Sequence, residues 1–238
     1  MSRDKSQVFK FKSFEVDQTD CAMKINTDGV LLGAMVQHES PNSILDIGTG
    51  TGVIALMLAQ RFPEAQIYAI EIDEQASLTA SKNFKNSKFN NRLTCAHTSI
   101  ENFETKDKYD LIVSNPPYFI NDLKNEEQRK GLARHASIEF FEMLVAKSAL
   151  NLKPFGKIYF ILPVKQANMV IETAKKYSLN ICEIINLHSD KNKETFRVII
   201  CLSFEINILE ESDFYIYKSL KEHTDEYKKL LKPFFLAF

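Results

Sequence analysis

Apolar positions along most of this chain come in short runs separated by polar turns, and the runs alternate between two periods. Ile44-Leu45-Asp46-Ile47, Gln66-Ile67-Tyr68-Ala69-Ile70-Glu71, Arg92 to His97 and Tyr109-Asp110-Leu111-Ile112-Val113 have the length and composition of buried strands. Between them, Val53 to Arg61 and a stretch capped by Asp73 and running to about Ser87 read as amphipathic helices. The alternation continues with a long helix from about Ile138 to Leu152, a break at Pro154-Phe155-Gly156 and a strand from Lys157 to Leu162. A helix from about Lys165 to Tyr177 follows, and strands Ile181 to Leu187 and Phe196 to Phe204 close the sheet as a hairpin pair. Strands alternating with helices predict an α/β fold, a mostly parallel sheet with helices on both faces.

The flanks have a different pattern. Phe and charge alternate in residues 1–24 (Phe9, Lys10, Phe11, Lys12, Phe14), as in an edge strand or hairpin with one buried face. Arg3, Lys5, Lys10 and Lys12 make this stretch basic, which fits a solvated edge or a phosphate contact. Thr27 is the expected N-cap of a helix whose Val30, Leu31, Ala34 and Met35 share a face, placed either to roof a ligand pocket or simply to pack. Residues 119–136 read as a long polar loop of mixed charge above the active edge, a lid or substrate loop. The tail carries Phe214, Tyr215, Tyr217, a helix near Tyr227 to Leu231 and an apolar Phe234-Phe235-Leu236 end. It is expected to pack back on the domain, with RNA contact as the alternative. Three regions result: an N-terminal segment over the pocket (1–40), a core (41–206) and a tail on the core (207–238).

Composition narrows the partners. A net charge of -1 excludes a generally basic nucleic-acid coat protein but leaves room for a local basic patch. The four cysteines show no C-x-x-C spacing, so buried thiols in a reducing cytoplasm are expected, with neither zinc site nor disulfide framework. Met1 to Lys12 lacks the apolar centre of a secretory signal, and no run is long enough to span a bilayer.

Two stretches carry chemistry. The first is Gly48-Thr49-Gly50-Thr51-Gly52 between a strand and a helix, a nucleotide-binding βα turn. The next strand ends in Glu71, roughly 20 residues on, where a carboxylate accepts hydrogen bonds from ribose hydroxyls. The glycines follow G-x-G-x-G rather than G-x-G-x-x-G, and Asp46 precedes them. A carboxylate there suits a ligand with an amine better than a pyrophosphate, which favours S-adenosyl-L-methionine over NAD. The second stretch is Ser114-Asn115-Pro116-Pro117-Tyr118. Neither proline offers a ladder N–H, so the chain must leave the sheet at the carboxyl end of a strand, where ligands bind in open α/β sheets. Asn115 and a proline carbonyl supply two acceptors for an amine, and Tyr118 a flat surface on which to stack a planar group. Arg197, inside an apolar strand, faces the active edge or pairs with a carboxylate.

With Leu45-Asp46-Ile47-Gly48-Thr49-Gly50-Thr51-Gly52, Glu71 and Asn115-Pro116-Pro117-Tyr118 in place, the chain resembles class I S-adenosylmethionine-dependent methyltransferases acting on an amine nitrogen. The stretch Cys21 to Gly33, with Ala133-Arg134-His135, is similar to the bacterial tRNA-1-valine methyltransferases, which modify the adenine 3′ of the anticodon. The likeness covers about residues 14–205. It implies a Rossmann-like, seven-stranded, mostly parallel sheet with the last strand antiparallel. Asp46, Gly48, Gly50 and Gly52 would hold the methionine portion of the cofactor, and Glu71 the ribose, with Ile72 beside it. Thr27 would lie near the pocket roof. Ser99 and Ile100 stand where many relatives carry an acidic contact to the adenine. Asn115, Pro116 and Tyr118 would be catalytic. Pro117, Tyr118, Arg134, His135 and Arg197 would meet a tRNA anticodon loop, and no metal is implied.

Rival readings fit less well. Protein glutamine methyltransferases share the clamp but usually carry a helical domain ahead of the core, and only about forty residues precede the first core strand here. A DNA adenine methyltransferase needs a target-recognition insertion, and none is evident. A non-catalytic RNA-binding protein of the same fold has no use for Asn115 and Tyr118, and a dinucleotide oxidoreductase conflicts with the glycine spacing and Asp46.

Overall fold

The structure, a computed structural model, describes residues 7–19, 21, 24–117 and 126–238, and of 126–137 the backbone alone. The chain opens with a short antiparallel pair, β1 (Val8–Lys10) and β2 (Glu15–Asp17), and enters helix α1 (Thr27–Met35). The βα alternation follows: β3 (Ser43–Ile47), α2 (Val53–Arg61), β4 (Gln66–Glu71), α3 (Glu74–Asn86), β5 (Leu93–His97) and β6 (Tyr109–Ser114). Then come α4 (Glu126–Asn151), β7 (Leu152–Leu162), α5 (Val164–Lys175), β8 (Asn180–His188) and β9 (Thr195–Ser203). The chain continues through β10 (Glu210–Tyr215), β11 (Tyr217–Ser219), β12 (Glu222–His223) and α6 (Asp225–Leu231).

The central sheet has the order β10-β8-β9-β7-β6-β3-β4-β5. Only β9 runs against the others, pairing antiparallel with β7 and β8. The seven expected strands are present, and β10 adds an eighth, parallel to β8. Pattern reading passed over β10 because Glu210-Glu211-Ser212-Asp213 has low strand propensity; the ladder offered by β8 supplies what the residues lack. Both sheet faces are buried, so the central strands read as unbroken apolar runs. Leu111 and Val113 point to the face covered by α1, α2 and α6, and Ile112 to the face covered by α4 and α5. Phe11, Phe14 and Val16 of the N-terminal hairpin share the first of these cores with Tyr227, Leu231 and Phe234 of the tail.

Three local expectations need correction. Helix α1 is capped by Asn26, whose extended backbone lets its side chain accept from the Gly29 amide at 2.9 Å; Thr27 is the first helical residue. The polar stretch 119–136 is helical from Glu126 onward, because Glu-Glu-Gln-Arg-Lys are good helix formers with their acids in the first turn. Finally, Pro154-Phe155-Gly156 lies inside β7 rather than before it. The irregular register between Tyr109 and Leu111 of β6 absorbs the proline at the start of the strand.

Candidate active site

The chain leaves β3 through a loop strapped to its neighbour. The amides of Gly48 and Thr49 both donate to the Ile70 carbonyl at the end of β4, at 2.8 and 3.1 Å. Gly48, Gly50 and Gly52 have φ of 70°, 56° and 84°. At Gly52 a Cβ would stand 2.5 Å from the Phe84 ring of α3, so close packing as well as φ requires glycine there. At Gly48 and Gly50 a Cβ would meet nothing within 4 Å, so this part of the loop borders open space at the start of α2.

Glu71 organises the loop from β4. One carboxylate oxygen accepts from the Gly50 amide at 2.8 Å and the other from the Asp73 amide at 3.0 Å, while Asp73 caps α3 through Ala76. A single side chain thereby fixes the glycine turn and the start of the next helix. Ile72, beside it, is 70% exposed, an apolar face on the rim.

Asp46 lies beneath the loop rather than on the cleft wall. It is 0% exposed, and its Oδ2 accepts from the Thr49 hydroxyl at 2.6 Å. Its Oδ1 meets no hydrogen-bond geometry among the described residues, although the Ala55 amide at the start of α2 favours the carboxylate electrostatically. Burial pushes the carboxyl up to about 7, nearby Glu71 adds to the rise, and Thr49 and Ala55 oppose it. Asp46 does not line the cleft itself; Thr49, whose hydroxyl it holds, does.

On the other side, Ser114 at the end of β6 donates to the Ile47 carbonyl at 2.8 Å, which ties β6 to β3 just before both strands end. Asn115 follows half-buried, Pro116 buried and Pro117 exposed. Asn115 shares one cleft with Gly48 to Thr51 and with Lys24, Ile25, Asn26 and Gly29 at the start of α1. The strand order, with β3 next to β6, brings glycine turn and Asn-Pro-Pro together.

The remaining expected residues are placed less centrally. Thr27 is exposed beside the cleft, while its neighbours Asn26 and Gly29 line it. Sequence reading gave Asn26 no role of its own beyond its place in the Cys21 to Gly33 stretch, and its cap residue type was the signal that could have singled it out. Ser99 accepts from the Asn102 amide at 3.2 Å, and Ile100 is buried in the core with Leu45 and Ile70. Tyr118 and the side chains of Arg134 and His135 lie outside the described residues. Arg197 pairs with a carboxylate: its Nε donates to Asp28 Oδ2 at 2.7 Å and its Nη1 to the Phe196 carbonyl. That pair, the carboxylate partner that the sequence offered as one of two expectations for Arg197, joins β9 to the start of α1.

The sequence pattern of the methyltransferase small domain matches residues 21–188, which hold the whole of this cleft. The chain belongs to that methyltransferase family. It is 55% identical over 230 residues to a protein of Pedobacter heparinus named tRNA1(Val) (adenine(37)-N6)-methyltransferase, covering 97% of this chain and 98% of the relative. A protein of the same name from Dyadobacter fermentans is 39% identical, over 97% of this chain and 98% of the relative. Among solved structures, one described as a predicted O-methyltransferase of Agrobacterium tumefaciens superposes with a TM-score of 0.69 at 16% identity, over 87% of this chain and 96% of the other. At that identity the likeness speaks for the fold alone. Methyltransferase membership excludes the dinucleotide oxidoreductase reading.

Proposed function

We propose that this methyltransferase transfers a methyl group from S-adenosylmethionine to the exocyclic amine of an unpaired tRNA adenine, the one 3′ of the anticodon in a valine tRNA. The observation that carries the reading is the meeting of Asn115 with the glycine turn in one cleft. It stands in a chain whose full-length relatives bear a tRNA adenine-N6-methyltransferase name. The open space beside Gly48 and Gly50 fits a cofactor whose methionine end lies against the glycine turn. Glu71 and Ile72 would hold its ribose and base, Thr49 and Gly50 its methionine end. Bound there, the cofactor supplies an electrophilic methyl on a positively charged sulfur.

Asn115 and Pro116 do the rest. An adenine amine is a poor nucleophile because its lone pair is delocalised into the ring. The Asn115 side-chain oxygen and the Pro116 carbonyl accept its two N–H groups and favour a pyramidal nitrogen. Those bonds strengthen as positive charge develops on the nitrogen, so they stabilise the transition state more than the ground state. Holding nitrogen, methyl and sulfur in line supplies a further share of the rate. The product cation is acidic, so no strong base is required. Tyr118 would stack the base, a contact worth roughly 1–3 kcal/mol. A loop adenine suits the site because it is already unpaired. A tRNA substrate puts the reaction in the cytoplasm.

The test is tritium transfer from labelled S-adenosylmethionine to total tRNA from a strain lacking the enzyme. Label in N6-methyladenosine from a valine tRNA is expected. Label in protein rather than RNA would overturn the reading in favour of glutamine methylation, and no transfer at all would leave a binding protein of the same fold.

A further inference from the structure

A second cleft lies on the same edge of the sheet. β8 and β10 run parallel to β6 and end, at His188 and Tyr215, on the edge where Asn115 lies. The β8–β9 turn and the β11–β12 hairpin form the walls of an open cleft of about 550 Å³ there. Its charged lining is Lys191, Lys218 and Lys221 against the single carboxylate of Asp190. Asp190 is engaged within its own turn, accepting from the Asn192 amide at 2.9 Å, and Lys218 meets Glu222 only in an exposed pair at 3.7 Å. With Glu222 counted, the cleft and its hairpin carry three lysines against two carboxylates, a local excess of positive charge in a chain of net charge -1.

The walls are fixed. The Ile216 and Tyr217 amides donate to the His188 and Ser189 carbonyls at 3.0 and 2.8 Å, binding hairpin to turn. His188 contacts both the Lys193 carbonyl and the Asp213 carboxylate, and it stacks on Tyr215 at 4.9 Å. Only the lysine side chains and the hairpin tip, Leu220-Lys221, stand out from this frame. Leu220 is 92% exposed, and Lys221 has a φ of 65°, a position in a two-residue turn where glycine or asparagine is the easy choice. A lysine kept in that conformation trades backbone ease for a charge at the tip.

Three inter-strand steps separate β6 from β8 and four separate it from β10. At about 4.8 Å a step, the cleft lies roughly 14–19 Å from Asn115. That is about the span of five phosphates in a stacked strand at roughly 3.4 Å each. We propose that this cleft is a docking site for the sugar–phosphate backbone of the anticodon stem, gripped by Lys191, Lys218 and Lys221 while the loop adenine enters at Asn115. The inference rests on the tRNA reading above and adds where the RNA lies: across the carboxyl edge toward β10, not over β4 and β5. Lysines at exposed positions on a preformed wall grip phosphate without reading sequence, so the cleft supplies affinity and register.

The test is tRNA binding by fluorescence anisotropy over a salt series, alongside methyl transfer, for the full-length enzyme and a K191A/K218A/K221A variant. The expected result is at least about a tenfold loss of tRNA affinity and a salt dependence shallower by about one unit of log–log slope per lost contact. Cofactor affinity and turnover at saturating tRNA should stay unchanged. A Lys221→Gly variant, which eases the turn while removing the charge, should show the affinity loss without loss of thermal stability. Wild-type affinity and slope in the triple variant, with wild-type enzyme methylating tRNA normally, would overturn the docking site alone and turn attention to an acidic protein segment as its partner. Wild-type enzyme that neither binds nor methylates tRNA would overturn the substrate reading and this inference with it.

Discussion

The two clefts share one edge of one sheet and are built by opposite means. At the glycine turn, position comes from backbone: amides strapped to Ile70, a carboxylate spanning Gly50 and Asp73, two prolines after Asn115. At the hairpin the backbone is equally tied down, but the chemistry hangs on three lysine side chains facing solvent. Chemistry requires atoms held to fractions of an ångström, which buried backbone provides. Gripping a phosphate chain requires charge at roughly the right spacing, which mobile lysines provide. With the two proposed roles, the fold would separate turnover from grip, and substitutions can be ranked by how far each should move one without the other.

The largest effect belongs to Asn115→Ala. Transfer should fall roughly 10²–10³-fold, the usual loss for one positioned transition-state contact, while calorimetric cofactor affinity and tRNA affinity stay near wild type. Loss of cofactor binding in step with activity would mean that Asn115 holds the cofactor rather than the amine. Next comes Gly52→Ala, which forces a Cβ onto Phe84 in a left-handed conformation. Denaturant unfolding should show a loss of about 2–5 kcal/mol. Gly50→Ala has only the conformational penalty of about 1–2 kcal/mol, and it should weaken cofactor binding instead, because its Cβ points into the open space.

Asp46 adds a pH signature. Its folded carboxyl titrates near 7 against an ordinary 3.8, so the folded state holds more protons between those values. Stability must therefore fall as pH rises from about 4 to about 7 and level off above, by up to about 4 kcal/mol. Asp46→Asn, which keeps an acceptor for Thr49, should melt higher than wild type at pH 8 without cofactor, with the gap narrowing toward pH 4. Cofactor affinity should rise between pH 6 and 8 in wild type and stay flat in the variant. A flat wild-type profile would remove charge from the account of the first cleft. Smallest is Arg197→Ala, which frees the start of α1 from β9. A stability loss of about 1–2 kcal/mol is expected, with KM raised more than kcat is lowered.

What could be read from the sequence follows the same division. Glycine turn, acidic strand end and Asn-Pro-Pro are local patterns whose backbone consequences do not depend on distant residues, so two of the three stretches lining the first cleft were legible. The cap of α1 was ambiguous because Asn26 and Thr27 are both good caps, and only the geometry of the incoming chain chooses between them. The Arg197–Asp28 pair joins residues 169 positions apart, and nothing local to either names the other. The lysine cleft was hidden for the same reason. Lys191 belongs to one turn and Lys218 and Lys221 to another, and they meet only because β10 adds itself beside β8.

β10 has an effect on the company the molecule keeps. It is one of the two edge strands, and among the described residues its outer side pairs with no strand of the sheet, a row of main-chain groups of the kind on which another chain could grow. Three of its first four residues, Glu210, Glu211 and Asp213, are exposed carboxylates. A second copy trying to lengthen the sheet would lay the same three charges against them. The strand that carries the lysine hairpin thus also sets a row of like charges against edge-to-edge growth of the sheet.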